Sequence, residues 1–375
     1  MTIKSTGENA YFAASNSIKG FFSYYDEIFK SARVGRVYAV KGGPGTGKSR
    51  FLRDVAEYAE DRGWSCEYVY CSSDPTSLDG VLLFCAGEEG IALLDATAPH
   101  VYEPSCPGAR EELVDLGAFW NADALVAQRA EIEALGEKKR EAYRSAYRYL
   151  AGLGEMDAER DATVEPYVRQ AAIRAFAERL MRAIPDGKEY APTPALLHSV
   201  GMRGEVGFDT YFADAKRIFV IEDCRGSAKY LMRALGELAQ KKRLAVRISH
   251  DPVEPEVIDG LFLCESGVAF GVCRAEEKGL PQKRIRMRRF VDTAAMKRER
   301  ERLNYAERMR RAMRDGAIDA LERVGEVHFR LEEIYSGAMD FEQKENFTRR
   351  FCRSLFDLKR REKCDTIEET KKRNG

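Results

Sequence analysis

The sequence is poor in the residues that build metal sites and membrane spans. It has four histidines in 375 residues, none in a ligand-like cluster, and its nine cysteines include no Cys-x-x-Cys pair. A zinc-type site is therefore not predicted, and scattered cysteines of odd number are typical of reduced thiols in a cytoplasmic protein. No apolar run approaches the ~18 residues that cross a bilayer, and residues 1–20 lack a long apolar segment. We therefore expect no membrane span and no signal peptide.

The chain also lacks net charge, with 61 basic and 61 acidic side chains, which argues against binding nucleic acid by bulk charge. The charge is unevenly distributed along the chain, because residues 281–375 contain 26 basic and 18 acidic side chains. Within them, Arg284, Arg286 and Arg288 alternate as on one face of a strand. A solvated face is the ordinary interpretation. The alternatives are nucleic-acid phosphates, an acidic partner, or an arginine supplied to a nucleotide site.

A glycine-rich segment near the start has the pattern of a phosphate-binding loop. It follows 36–40 (RVYAV), which predicts a buried strand, and precedes 50–63 (RFLRDVAEYAEDRG), whose apolar spacing predicts a helix. The segment between them fits G-x-x-x-x-G-K-[ST]. Glycines let backbone N–H groups surround phosphate oxygens, Lys48 would reach the β and γ phosphates, and Ser49 would ligate Mg²⁺. The predicted nucleotide-binding residues are Gly42, Gly43, Pro44, Gly45, Thr46, Gly47, Lys48 and Ser49.

Such a loop also needs an acidic residue at a strand end, which holds Mg²⁺ through water or polarises the attacking water. The apolar run 91–95 ends in Asp95, and the run 68–74 ends in Asp74. Strand-end acids are also common turn residues, so both assignments stay open, with Asp95 preferred and Asp79 a weaker option. The predicted catalytic residues are Lys48, Asp95 and Asp74, and the predicted metal ligands are Ser49 and Asp95.

The loop and its flanks are repeated about 180 residues later. RIFVI at 217–221 matches 36–40, and in the following segment Gly226 takes the place of Gly45 and Lys229 that of Lys48. ISHDP and IDGL then match CSSDP and LDGV of the first copy, in the same order. The sequence therefore predicts two tandem α/β halves.

The second copy is altered where a phosphate would bind. Three loop residues are replaced: Gly42 by Asp223, Gly47 by Ala228 and Ser49 by Tyr230. Glu222 and Asp223 would repel a polyphosphate, by about 4 kcal/mol for each pair of unit charges at ~4 Å and an effective dielectric near 20. We expect that this half does not bind nucleotide in the usual way, and that it braces the first site or forms a partner surface.

Charged helical segments follow each half. Apolar spacing predicts helices over 121–150 and 165–184, and again over 293–335 and 341–356. Each pair is expected to form a long hairpin, either solvated and self-packed or a docking arm coupled to nucleotide state. The predicted domains are a nucleotide-binding core at 1–120, a hairpin at 121–190, a degenerate second core at 191–290 and a basic helical extension at 291–375.

Taken together, the chain resembles a family of uncharacterised bacterial ATP-binding proteins that carry two P-loop halves. The stretches that carry the resemblance include KGGPGTGKSRFL at 41–52, CSSDPTSLDGV at 71–81, LLDATAPHVYEP at 93–104 and LGAFW at 116–120. The resemblance covers nearly the full length and implies an ATP-binding, ATP-hydrolysing cytoplasmic protein. Similar chains are expected to have a more intact second loop, and this sequence departs from the family there.

The sequence thus predicts an α/β fold of two tandem P-loop NTPase-like halves, each a mostly parallel sheet flanked by helices, with a helical hairpin extension. We expect a cytoplasmic, Mg²⁺-dependent ATPase that binds ATP and offers its hairpins to a protein partner. One alternative is a small-molecule or nucleotide kinase, with Arg144, Arg148 and Arg174 as lid arginines. The other is a slow-turnover, nucleotide-controlled switch that docks a partner protein or nucleic acid.

Overall fold

A computed structural model of the chain describes residues 2–3, 9–98, 102–272 and 282–356. As predicted from the sequence, these residues form an α/β fold with mixed, mostly parallel sheets flanked by helices. They fall into two compact units, each assembled from separated stretches of chain. The first-loop unit joins 33–66, 78–134 and the described part of 329–375. The second-loop unit joins the described parts of 1–32, 67–77 and 135–328. The four consecutive ranges predicted from the sequence follow a different division.

The described secondary structure comprises short strands and helices of very different lengths. The strands are β1 (Thr2–Ile3), β2 (Asn9–Phe12), β3 (Ala14–Ser17), β4 (Gly20–Ser23), β5 (Val34–Lys41), β6 (Ser65–Tyr70), β7 (Leu78–Phe84), β8 (Gly90–Asp95), β9 (Glu111–Asp115), β10 (Ala191–Pro194), β11 (His198–Gly201), β12 (Gly204–Phe208), β13 (Arg217–Glu222), β14 (Ala245–His250), β15 (Ile258–Leu263), β16 (Val268–Val272) and β17 (Gln282–Arg286). The helices are α1 (Tyr25–Phe29), α2 (Lys48–Glu60), α3 (Ala122–Ala127), α4 (Arg129–Val164), α5 (Gln170–Met181), α6 (Thr210–Ala213), α7 (Ala228–Lys241), α8 (Arg300–Gly337) and α9 (341–356).

In the first-loop unit, four strands lie in the order β7-β8-β5-β9. β5 pairs in parallel with both β8 and β9, whereas β7 and β8 are antiparallel. Residues 37–40 of β5 are all buried, as expected for a central strand that is covered on both faces. Helix α2 buries Phe51, Leu52 and Val55 on one side, the spacing of an amphipathic helix. This packing fixes the end of β5 and the start of α2, between which the glycine-rich loop lies.

In the second-loop unit, six strands lie in the order β10-β14-β15-β16-β13-β17. The last four repeat the order and directions of β7-β8-β5-β9. The parallel pair β10–β14 likewise repeats the parallel pair β2–β6. The repeat seen in the sequence is therefore also a repeat of topology.

The long helices correct the predicted hairpins. Helix α4 has 36 residues and so spans about 54 Å, and it runs through the region 151–164, where the sequence predicted the turn of a hairpin. After it, α5 packs in the second-loop unit, where Ile173 and Met181 join the core of α7. After α8, helix α9 packs in the first-loop unit, where Phe347 and Phe351 lie against Phe51 of α2. Each half therefore supplies a helix to the core that contains the other half's loop.

Backbone pairing fixes this reciprocal exchange. Val168, just after α4, bridges Val291, which follows β17. In the same way Met339, just after α8, bridges Trp120, which follows β9. Each bridge is flanked by two backbone hydrogen bonds of 2.8 and 2.9 Å. The two exchanges are equivalent in detail, so they belong to the repeat itself.

Within the second-loop unit, α4 and α8 pack along an apolar seam. Leu150 and Leu153 of α4 share a buried cluster with Ala317 and Leu321 of α8. None of the described helices carries an apolar stretch that could cross a bilayer.

Candidate functional site

The glycine-rich loop connects the end of β5 to the start of α2, as the sequence predicted. Gly45 and Gly47 have φ values of 71° and 76°, a left-handed conformation that glycine adopts without a Cβ penalty. Gly47 is the N-cap of α2 and has no side-chain cap, so the first amides of the helix face the loop. A helix N-terminus with free amides favours an anion.

The side chain of Lys48 crosses the loop. Its ammonium donates to the carbonyls of Gly42 and Gly43 at 2.9 and 2.8 Å, and it lies 3.4 Å from the Asp95 carboxylate. The side chains of Lys48 and Asp95 are only 11% and 14% exposed, so this pair is weakly screened by solvent. Thr97 ties the pair together by donating its amide to Asp95 and its hydroxyl to Gly42 O, each at 2.8 Å.

Asp95 lies at the end of β8, next to the end of β5, and it is close to a second acid. Burial raises the pKa of the Asp95 carboxyl, Lys48 opposes that rise, and the nearby charge of Asp79 adds to it. Asp79 is 5% exposed, at the start of β7. The preceding residue, Leu78, donates its amide to Ser49 Oγ at 2.9 Å. The structure thus brings Lys48, Ser49, Asp95 and Asp79 to one place, and Asp79, the weaker option in the sequence, is part of this group.

Asp74 is differently engaged, in the second-loop unit. Its Oδ1 accepts from the amide and hydroxyl of Thr76, at 3.2 and 2.8 Å, and from Arg203 Nε at 3.0 Å. The matching residue of the second copy, Asp251, accepts two backbone amides in the same kind of turn. Both copies therefore use this aspartate to close a turn, which favours the structural role over the catalytic one.

Helices α8 and α9 cover the first loop and form a wall beside it, which the sequence did not predict. A Cβ on Gly45 would lie 2.5 Å from the carbonyl oxygen of Glu332 in α8, so only glycine fits there. A Cβ on Gly43 would lie 3.2 Å from the Tyr335 ring. One on Gly47 would lie 3.5 Å from the ammonium of Lys344 in α9. The only sequence signal for this wall was the amphipathic spacing of the two helices, which does not name the surface they cover.

The second loop shares only the left-handed glycine Gly226, which matches Gly45, with the first loop, and it holds a carboxylate among its amides. Arg225 and Gly226 have φ values of 57° and 84°, and α7 begins at Ala228. The Asp223 carboxylate accepts from the amides of Gly226 and Ala228, both at 2.7 Å. No described side chain accepts from the amides of Gly45 and Gly47 in the first loop. The expected repulsion of polyphosphate by Asp223 thus has a second cause, because Asp223 occupies the amides that a phosphate would need.

The basic side chains at the second loop are also engaged, in ion pairs with acidic residues of α4. Lys229 pairs with Asp161 of α4, and Arg160 pairs with Asp161 and Asp157 at 2.8 and 2.7 Å. The strand register places Val272 where the first copy has Asp95, so the second copy has no acid at this position. The adjoining cleft of about 400 Å³ is lined by these paired charges. The second loop therefore lacks both a free cradle and a free lysine.

The predicted arginine face of β17 is engaged within its own sheet. Arg284 and Arg286 lie 3.1 and 3.2 Å from the carboxylate of Glu222 on the neighbouring strand β13. Arg288 lies in a 3₁₀ turn, Met287–Phe290, beyond the strand. These contacts favour the structural interpretation over a nucleic-acid surface.

No family model, curated protein or solved structure matches the chain. The described residues also contain no group of three or more His, Cys, Asp or Glu side chains arranged to hold a metal ion. A divalent ion at the first loop would therefore need oxygen ligands from outside the protein, as Mg²⁺ bound with a nucleotide has. The site must be judged on its own geometry.

Proposed function

We propose that the first loop binds Mg·ATP and that the chain hydrolyses ATP there, while the second loop binds no nucleotide. One observation carries the proposal. Lys48, Ser49 and Asp95 converge on a glycine-rich loop at a helix N-terminus, and the equivalent residues of the second copy are replaced or already paired. The choice of ATP over other nucleoside triphosphates rests on the family resemblance.

Each residue has a distinct role in this proposal. The loop amides and the start of α2 would bind phosphate oxygens, and Lys48 would leave the Gly42 and Gly43 carbonyls to neutralise the β and γ phosphates. Ser49 would hold Mg²⁺ directly and Asp95 through water, and the bound ion would offset charge on the phosphates. Asp95 would also orient the attacking water, since burial raises the pKa of its carboxyl and makes it a better base.

A slow-turnover switch is the second candidate, and one contact favours it. The backbone of α8 lies directly on the loop, because a Cβ on Gly45 would meet the Glu332 carbonyl oxygen at 2.5 Å. A change in loop shape on nucleotide binding would therefore act on the end of a 38-residue helix. Tight binding with negligible turnover would favour the switch, and multiple turnover would favour the ATPase.

The test compares matched lysine variants in the two loops. Nucleotide affinity is measured by titration calorimetry with Mg·ATP, and turnover by phosphate release. Lys48→Ala removes charge-assisted hydrogen bonds to phosphate, each of about 1.5–3 kcal/mol, so affinity should fall by about 10²-fold and turnover should disappear. Lys229→Ala is the control and should leave both unchanged. Thermal melts of both variants verify that they are folded.

Two results would contradict the proposal. An equal loss of binding in Lys229→Ala would overturn the asymmetry between the loops. A stoichiometry near two nucleotides per chain would show that the second loop binds despite Asp223. A chain that binds nucleotide but transfers phosphate to an added metabolite would instead be a kinase.

A further inference from the structure

Lys344 is a buried lysine on the face of α9 that covers the first loop. Its relative exposure is 2%, and Thr348 and Cys352 share its buried stripe. The helix is held by Phe347 and Phe351, whose rings lie 6.2 and 5.2 Å from that of Phe51 in α2. Because Lys344 lies one turn before Phe347, this packing directs it to the start of α2, where a Cβ on Gly47 would lie 3.5 Å from its Cε and Nζ.

The ammonium of Lys344 has no partner among the described residues. Neither an ion pair nor a side-chain hydrogen bond joins it to any of them. Asp54 acts on it only from a distance, since the Asp54 carboxylate is paired with Arg50 at 2.7 Å. Burial lowers the pKa of Lys344, and Asp54 and Glu345 only partly oppose that effect. Lysines are almost never this buried unless they are paired, so the ammonium of Lys344 is suited to pair with an anionic ligand.

Other positive groups beside Lys344 indicate which kind of anion would bind there. Gly47 is the N-cap of α2, whose dipole places partial positive charge there, and Lys48 is the next residue. A cation beside a helix N-terminus and a second lysine is unfavourable in a protein without ligand. The same three positive groups become favourable together when a polyphosphate lies among them.

We propose that Lys344 is a second phosphate-binding cation, which reaches the triphosphate chain of the nucleotide in the first loop from helix α9, beside Gly47. The inference rests on the proposed function and adds a binding residue that lies almost 300 positions along the chain from the loop. It also gives the exchanged helix α9 a chemical role at the site.

The test uses Lys344→Met, which keeps the length of the side chain and removes its charge. Mg·ATP affinity, measured by calorimetry, should fall by about 10–100-fold, as expected for one or two lost charge-assisted hydrogen bonds. Without nucleotide, the variant should melt at the wild-type temperature or above it, because a buried unpaired charge is gone. Lys344→Arg should keep most of the affinity. Arg353→Met, which removes an exposed positive charge from the same helix, should have no effect.

The outcomes separate this inference from the function on which it rests. A wild-type chain that binds no nucleotide overturns both. A wild-type chain that binds, with a Lys344→Met affinity within twofold of it, overturns only the role of Lys344. A Lys344→Met protein that melts well below wild type, while Lys344→Arg and a second variant, Lys344→Gln, bind Mg·ATP as tightly as wild type, shows a structural role and also overturns the inference.

Discussion

In the second loop, the carboxylate of Asp223 accepts hydrogen bonds from the backbone amides that would otherwise bind a phosphate. Removing this carboxylate should make those amides available. Its two oxygens accept from the amides of Gly226 and Ala228, both at 2.7 Å, at the start of α7. Asp223→Ala leaves these amides without the acceptor that caps them. Asp223→Asn keeps a neutral oxygen acceptor and serves as the matched control.

The expected cost follows from the two hydrogen bonds. A bond to a charged group contributes about 1.5–3 kcal/mol, but Asp223 is exposed, so water replaces part of each bond in the variant. About 1 kcal/mol for each bond gives about 2 kcal/mol, at the upper end of the loss on removing a helix N-cap. For a unit of 150–250 residues, that lowers the melting temperature by about 4–8 °C. Asp223→Asn should lose about half as much.

Inorganic phosphate should rescue the variant, because it can occupy the vacated amides. At a tenfold excess over its dissociation constant, phosphate would return about 1.4 kcal/mol to Asp223→Ala. It should return much less to the wild type, whose carboxylate competes for the same amides. The assays are thermal melts with and without phosphate, and amide hydrogen exchange at Gly226 and Ala228, which should be faster in the variant. A melting temperature within 1 °C of wild type, or equal rescue of both proteins, would refute the reasoning.

Three further changes probe acidic residues of the two units. Asp95→Asn should lower the rate of ATP hydrolysis by about 10²-fold or more, with a smaller change in Mg·ATP affinity, because an amide is no base for water. Asp74→Asn should keep the rate, and a loss of rate there instead would return the catalytic role to Asp74. Glu254→Gln should flatten the dependence of stability on pH. Burial raises the pKa of Glu254 to about 8, with Asp157 and Asp251 adding to the rise. The folded state therefore holds a proton that the unfolded state releases above about pH 4.5, so wild-type unfolding free energy should fall as pH rises from about 5 to above 8. Urea titrations at pH 6 and 9 that show equal losses in both proteins would contradict this.

The first loop could be predicted from the sequence because its defining residues are close together along the chain. The glycines, Lys48 and Ser49 lie within eight consecutive residues, and the strand and helix beside them have clear periodicity. The position of Asp95 at a strand end was also predicted, since an acid that follows an apolar run is a recognisable pattern, whereas its proposed role stays a prediction. The repeat was visible for the same reason, because matching segments occur in the same order.

The exchange of helices and the buried position of Lys344 could not be predicted from the sequence, for a physical reason. Amphipathic spacing shows that α5 and α9 bury one face, but it does not show which core they cover. Lys344 occurs in a charged stretch (FEQKENF) that is typical of a solvated helix. Only the packing of Phe347 and Phe351 places it on a buried face. Information of this kind depends on tertiary contacts between distant parts of the chain.

The same exchange of helices gives a reason to retain the second half even if its loop binds no phosphate, as we propose. Helix α8 begins in the second-loop unit, where Ala317 and Leu321 pack on α4, and it ends in the first-loop unit, where Glu332 and Tyr335 contact the loop. Helix α9, which carries Lys344, follows directly. The residues that cover the first loop therefore belong to the first-loop unit but follow the second copy of the repeat along the chain. If the second loop binds no phosphate, as we propose, the second half of the sequence would still be needed because it includes helix α9, which packs in the first-loop unit.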